Sequence, residues 1–260
     1  MKMWNIFKGM LRQTMRDKLL WLGAGYLLLI MIPMLTDELG THADGSNAAV
    51  MLMQALGVML PIINGVITAR VCGADLRDKT ANYELLFGKK RIQVFLGRFF
   101  AALTVSMCVT TVLFLLPTAF YTIKNGWGGS YSVGNALLHI GLIFPLVFRI
   151  ICFFTALTFL CRNDIIPALI SLVGTFALFL AALLLKESDI LLTWQSATTD
   201  LMNLLDFSNS TTGYFNGEDI TVYKAFLTVG ETVRLLLTSL GIGAGWLFAG
   251  LALFRRQDIS

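Results

Sequence analysis

The chain has 260 residues, 56% of them hydrophobic and 14% charged, with a mean hydropathy of +0.73 and a formal charge of +4. Soluble domains carry about 25% charged residues, so this much apolar surface excludes a single aqueous core and points to a polytopic membrane protein. The four cysteines, Cys72, Cys108, Cys152 and Cys161, show no ligand spacing and no sign of a disulfide framework, and read as small packing residues.

Residues 3–17 come first. Met3, Phe7, Met10, Leu11 and Met15 share a stripe, while Lys8, Arg12, Gln13 and Arg16 lie largely opposite. With Trp4 near its start, this pattern predicts a basic amphipathic helix at the membrane interface. The plainer reading is a positive leader that orients the first span. No small-residue cleavage site follows the first apolar run, so a cleavable signal peptide is not expected.

Six apolar runs are long enough to cross a ~30 Å hydrocarbon core as helices. They cover about residues 19–36, 48–69, 99–123, 133–161, 165–185 and 235–254. The second contains Pro61 and Asn64. Asn64 is either an interhelical hydrogen-bonding group or a pathway group, and packing is the commoner use. The fourth is long and contains His139, Pro145 and Arg149. An ionisable group within a span is by default a functional candidate; the alternative for Arg149 is a side chain that snorkels to the interface. Asp164 and Glu231 are the acids with any prospect of reaching it. Residues 186–230 form a long acidic external segment with several aromatic residues, expected to fold on the membrane surface. In the last span Gly241, Gly243 and Gly245 form a small-residue series.

Charge sets the topology. Fifteen Lys and Arg fall on one side and three on the other, which predicts both termini in the cytoplasm. The two halves show no repeat, against folds built from inverted repeats. The largest basic group is the segment 70–98, with Arg70, Arg77, Lys79, Lys89, Lys90, Arg91 and Arg98 against Asp75, Asp78 and Glu84. Within it DLRDKTANYELLF has no proline or glycine, and Leu76, Tyr83, Leu86 and Phe87 recur at near-helical spacing. A short amphipathic helix is predicted there, closed by Gly88.

Chemistry is sparse. There is no GxxxxGK[ST] loop for phosphate, no HExxH zinc pattern and no GxSxG elbow. No carboxylate lies deep in a span, which argues against a proton- or sodium-driven carrier. Nothing suggests nucleic-acid binding.

Six spans, an N-terminal interfacial helix and a charged loop after the second span resemble the ABC-2 type transporter permeases. The family's loop pattern is matched by Asp75 or Asp78, Thr80, Leu85-Leu86, Gly88, Arg91 and Gly97-Arg98. Lys79 stands where glycine is common, Lys89-Lys90 replace proline-serine, and Arg98 replaces lysine.

The resemblance implies an all-α membrane fold and one transmembrane domain over 1–260. It implies the permease subunit of a bacterial exporter of the lantibiotic, bacitracin or drug-efflux kind, itself no enzyme. ATP and Mg would be bound by two copies of a separate ATPase, and a second permease copy, or a related permease, would complete the pathway. The helix Asp75–Phe87 would be the coupling helix, with Asp75, Arg77, Asp78, Thr80, Tyr83, Glu84, Leu86 and Phe87 as its contact residues. Tyr83, Leu86 and Phe87 would either enter an ATPase groove or face lipid. Asn64, His139 and Arg149 are the pathway candidates. The apolar spans suit an amphiphilic or hydrophobic cargo. The alternative is a membrane scaffold or sensor that docks a soluble partner through the same loop.

Overall fold

The computed structural model describes residues 3–18, 20–22, 25, 44–77, 88–128, 132–184, 210–215, 218–223 and 229–256. Most of the first expected span (19–36), residues 78–87 of the loop, and most of the external segment 186–230 lie outside the described residues.

Six helices are described: α1 (Met3–Arg16), α2 (Gly45–Arg77), α3 (Arg91–Asn125), α4 (Val133–Cys161), α5 (Ile165–Leu184) and α6 (Val229–Arg256). Four of them contain segments long and apolar enough to cross a membrane: Met59–Arg77, Arg91–Asn125, Val133–Cys161 and Thr232–Arg256. α5 is a fifth apolar helix of 20 residues. Two strands, β1 (Ser210–Phe215) and β2 (Glu218–Tyr223), pair antiparallel, with Phe215 opposite Glu218. The all-α expectation holds for every described membrane element, and the segment 186–230 adds this hairpin.

The helices outrun the bilayer. α2 has 33 residues and α3 has 35, about 50 Å each at a rise of about 1.5 Å per residue. The loop expected over 70–98 is therefore shorter than its charge suggested. α2 continues through Arg77 and α3 opens at Arg91, so Asp75, Leu76 and Arg77 extend the second span rather than begin a separate helix. The physical reason is pairing. Arg70, Arg77 and Arg98 meet acidic partners at the helix ends, so their charge does not force the helix to stop.

The core is built where α2, α3 and α4 meet. Leu52, Met53, Leu56 and Leu60 of α2, Phe95 and Phe114 of α3, and Ile143, Leu146 and Val147 of α4 are buried together. α6 lies along α4. A Cβ on Gly250 would fall 2.7 Å from Ala156 Cβ, and one on Gly243 would fall 2.8 Å from Phe148 Cε1. Gly241 and Gly245 meet nothing within 4 Å. Of the expected glycine series only Gly243 makes the contact, and Gly250, seven residues on, is its partner.

Near the last turns of α4 and α6, Phe159 packs at a tilt against Phe95 and edge-on against Phe254, with ring centroids 4.6 and 4.8 Å away. The outer surface is apolar. Ile165, Leu169, Val173, Phe176 and Leu180 run exposed down α5, and Leu237, Leu240 and Phe248 down α6. Lipid is the solvent for which such a surface is stable.

α1 lies across the start of α3. Ile6, Met10 and Thr14 are its buried side chains, and a Cβ on Gly97 would come 2.9 Å from Ile6 Cγ2. The expected apolar stripe is thus divided. Met10 turns to the protein, while Met15 and Trp4 are exposed.

Candidate coupling site at the charged end of the bundle

The last two turns of α2 collect the charges. They are reached from three directions: from α1, from the start of α3, and from the tight turn between α4 and α5.

The tight turn is shaped by its own three residues. Arg162 ends α4 in the left-handed region at φ 50°. Asn163 Oδ1 then accepts the Ile165 backbone N–H at 2.9 Å. This Asx turn starts α5 and leaves the Asp164 carboxylate against α2. Gly73 permits the approach: a Cβ there would lie 2.8 Å from both Asp164 Cα and Thr158 Cγ2.

Asp164 is the hub. Its carboxylate is only 6% exposed, and its two oxygens accept from Arg77 Nη1 at 2.9 Å and Arg70 Nη1 at 3.0 Å. Arg70 carries the link onward, since its Nε donates to Asp17 Oδ2 at 3.0 Å. A buried carboxylate is expensive unless paired and hydrogen-bonded. Two arginines on one helix face, about two turns apart (i, i+7), meet that need. The acid expected within reach of Arg149 is thus engaged by Arg70 and Arg77.

A second chain of contacts runs through Asp75. Its Oδ2 accepts from Arg98 Nη2 of α3, and its Oδ1 from Gln13 Nε2 in the last turn of α1, both at 3.2 Å. Arg98 is 1% exposed and also donates to the Cys72 carbonyl oxygen at 3.2 Å. Long arginine stems with charge-assisted bonds at their tips join helices that pack through apolar side chains elsewhere. Arg91, at the opening of α3, donates to the carbonyls of Phe254 (3.1 Å) and Arg255 (2.7 Å), so it satisfies the end of α6.

The predicted site residues separate as follows. Asp75 and Arg77 stand inside this network. Asp78, Thr80, Tyr83, Glu84, Leu86 and Phe87 follow Arg77 in the chain and lie outside the described residues. Gly88 follows at φ 78°, and Gln93 Oε1 accepts the Lys90 backbone N–H as α3 begins.

Asn64 is fully buried in α2. Its Nδ2 donates to the Leu60 carbonyl (2.9 Å) and to Thr110 Oγ1 of α3 (3.3 Å), an interhelical bond of the kind bundles use. His139 and Arg149 are both buried in α4. Ten residues separate them, about 15 Å of helix, so they do not form one site. α6 covers Arg149, since a Cβ on Gly243 would stand 3.3 Å from its Cα.

Sequence reasoning missed Asp17 and Asp164 as a pair of anchors. Their signal is scarcity: among the described residues near these helix ends the acids are few, and Asp17, Asp75 and Asp164 each meet an arginine.

The family described as ABC-2 family transporter protein matches this chain over residues 13–178. That stretch holds well over half of the 260 residues, from α1 into α5. The chain belongs to the ABC-2 transporter family. No curated protein matches it. The matched stretch contains every residue of the Asp75 and Asp164 contacts, from Gln13 to Asp164, and leaves out the hairpin and α6, with the Arg91 contacts to the end of α6. As an ABC-2 family member the chain is a multi-pass component of membrane transport, in a family whose members are typically not catalysts.

Proposed function

We propose that this chain is the permease subunit of an ATP-driven exporter whose ATPase is a separate polypeptide. The observation that carries the proposal is the wiring of the end of α2. Residues 78–87 emerge from a helix end held through Arg70, Asp75 and Arg77 to α1, α3 and the α4–α5 turn. A protein that pushes on 78–87 moves one rigid helix end, and the ion pairs pass the motion to the other spans. In the full arrangement six spans cross the cell membrane with both termini in the cytoplasm, and residues 1–260 form one transmembrane domain. Two permease copies and two ATPases form the unit, with ATP and Mg bound by the ATPases.

Asp75, Arg77, Asp78, Thr80, Tyr83, Glu84, Leu86 and Phe87 form the coupling surface, with Tyr83, Leu86 and Phe87 as its anchors. Asn64, His139 and Arg149 are the polar groups along an otherwise apolar route. That route suits an amphiphilic or hydrophobic cargo such as a peptide antibiotic, a drug or a lipid-like molecule.

The test is co-purification of the ATPase with Tyr83→Ala/Phe87→Ala protein. Anchors in a desolvated groove cost about 2 kcal/mol or more each on truncation, so docking weakens by up to roughly 10³-fold. Membrane insertion is unchanged, because neither flanking span is touched. Full retention of both the ATPase and cargo-stimulated hydrolysis means that these side chains face lipid and that the coupling surface is misplaced.

A further inference from the structure

We infer that α1 is a recognition element for anionic phospholipid headgroups, mounted on the charged network by its opposite side. The proposal goes beyond the transport reading and does not depend on the ATPase.

The helix has three sectors rather than two. At about 100° per residue, Ile6, Met10 and Thr14 point one way, and these are the side chains buried against the bundle. Next round the helix come Phe7, Leu11, Trp4 and Met15. Phe7 and Leu11 are half-covered by the core, while Trp4 is 54% and Met15 60% exposed. Beyond them come Lys8, Arg12 and Arg16, all exposed.

The apolar sector therefore lies between the protein and the basic sector. Their border is built: Trp4 stacks on Phe7 at 4.8 Å, and Lys8 Nζ sits 5.4 Å from the Trp4 ring centroid. Such a helix puts its aromatic and methionine edge at the acyl boundary and its basic row at the level of the phosphates.

The charge is one-sided. Asp17 is the sole acidic residue among residues 3–18. It lies on the protein side, where Arg70 engages it. The basic row thus meets its surroundings with no acid of its own, and the complementary surface is anionic. The plane of a membrane fits better than an acidic protein surface, because the exposed apolar edge continues directly into the basic row. Gln13 and Asp17 join this same helix to Asp75 and Arg70, so headgroup contact bears on the end of α2.

The experiment uses the intact chain in lipid nanodiscs, with Trp4 as the single tryptophan and the other four changed to phenylalanine. Quenching of Trp4 by brominated phosphatidylglycerol is compared with quenching by brominated phosphatidylcholine at equal mole fraction. Each basic residue near an anionic surface favours association about five-fold. The phosphatidylglycerol should therefore associate at least five-fold more strongly, and less so as salt screens the charges. Lys8→Gln/Arg12→Gln/Arg16→Gln should bring the two lipids to parity.

Equal quenching by both lipids in the unsubstituted row overturns the proposal, as does selectivity that survives the triple substitution. Equal quenching in the nanodiscs, together with loss of the ATPase when the triple variant is separately co-purified from membranes, overturns it and assigns the row to an acidic protein face. If the single-tryptophan form fails to fold, native mass spectrometry on protein with all five tryptophans measures the same selectivity as retained phosphatidylglycerol, with and without the triple substitution. Failure here leaves the transport reading standing, because the nanodiscs hold no ATPase.

Discussion

The two ends of the bundle are held by different chemistry. At one end, Asp44 caps α2: its Oδ1 accepts from Ser46 Oγ at 2.9 Å and from the Asn47 N–H at 2.8 Å. The Gly45 and Ser46 amides donate to the carbonyls of Gly126 and Trp127 just beyond α3, at 2.9 and 2.7 Å. Gly128, at φ 80°, lies so close to Asp44 that a Cβ would collide with its carboxylate, and a Cβ on Gly45 would collide with Thr122. These are short, largely backbone contacts between two neighbouring elements. At the other end, long side chains join four elements through Asp17, Asp75 and Asp164. Backbone locks have little freedom to rearrange. Arginine–carboxylate contacts can exchange partners without unfolding a helix. The comparison assigns the fixed point of the bundle to the Asp44 end and the adjustable point to the Asp164 end.

The largest effect expected from breaking the comparison is at Arg98. It is almost wholly enclosed, so Asp75→Leu leaves a buried cation without its carboxylate, which costs about 3–5 kcal/mol. A large fall in the thermal unfolding midpoint is expected, with part of it recovered in Asp75→Leu/Arg98→Met.

A pair of glycine substitutions compares the two ends. Gly73→Ala forces Asp164 and Thr158 back, an overpacking cost of about 1–3 kcal/mol. Gly128→Ala places a Cβ at positive φ against Asp44, at a comparable cost of about 1–3 kcal/mol. Both should lower the unfolding midpoint. At temperatures where both proteins stay folded, only Gly73→Ala should lower cargo-stimulated ATP hydrolysis; an equal loss in Gly128→Ala would erase the distinction between the ends.

The smallest effect is at the rim of the network. Arg70 is 39% exposed, so Asp17→Asn should cost about 1 kcal/mol or less. That difference should shrink as added salt shortens the screening length from about 10 Å at 0.1 M to about 3 Å at 1 M. Denaturant midpoints measured in low and high salt would show it.

Much of the fixed end is legible in the chain. Asp44 before an uncharged run, and the Gly126/Gly128 spacing around Trp127, are local signals of a cap and a turn. The helices α3 to α6 follow from apolar length. The adjustable end is harder, because its contacts join residues 53, 94 and 87 positions apart, and no local pattern marks such pairs. The same pairs explain why the second span runs past its expected end: Arg70 and Arg77 look like loop residues until Asp164 is placed beside them. Gly250 has no local signal either, because its use depends on Ala156 of another helix. The hairpin does have one, Asn216-Gly217 between two strand-like runs, but the acidic composition around it masks the pattern.

The Asp164 hub, on this account, passes motion from residues 78–87 to the rest of the bundle. The most direct measurement is ATP hydrolysis by the reconstituted complex of Asp164→Asn protein, with and without cargo, beside the amount of ATPase that co-purifies. Asparagine keeps the shape of the turn and removes the charge that holds both arginines. The account predicts a full complement of bound ATPase with stimulation reduced by about tenfold, a coupling loss of about 1.4 kcal/mol. Normal ATPase binding together with undiminished stimulation would contradict it, and would reduce the network to a structural tie.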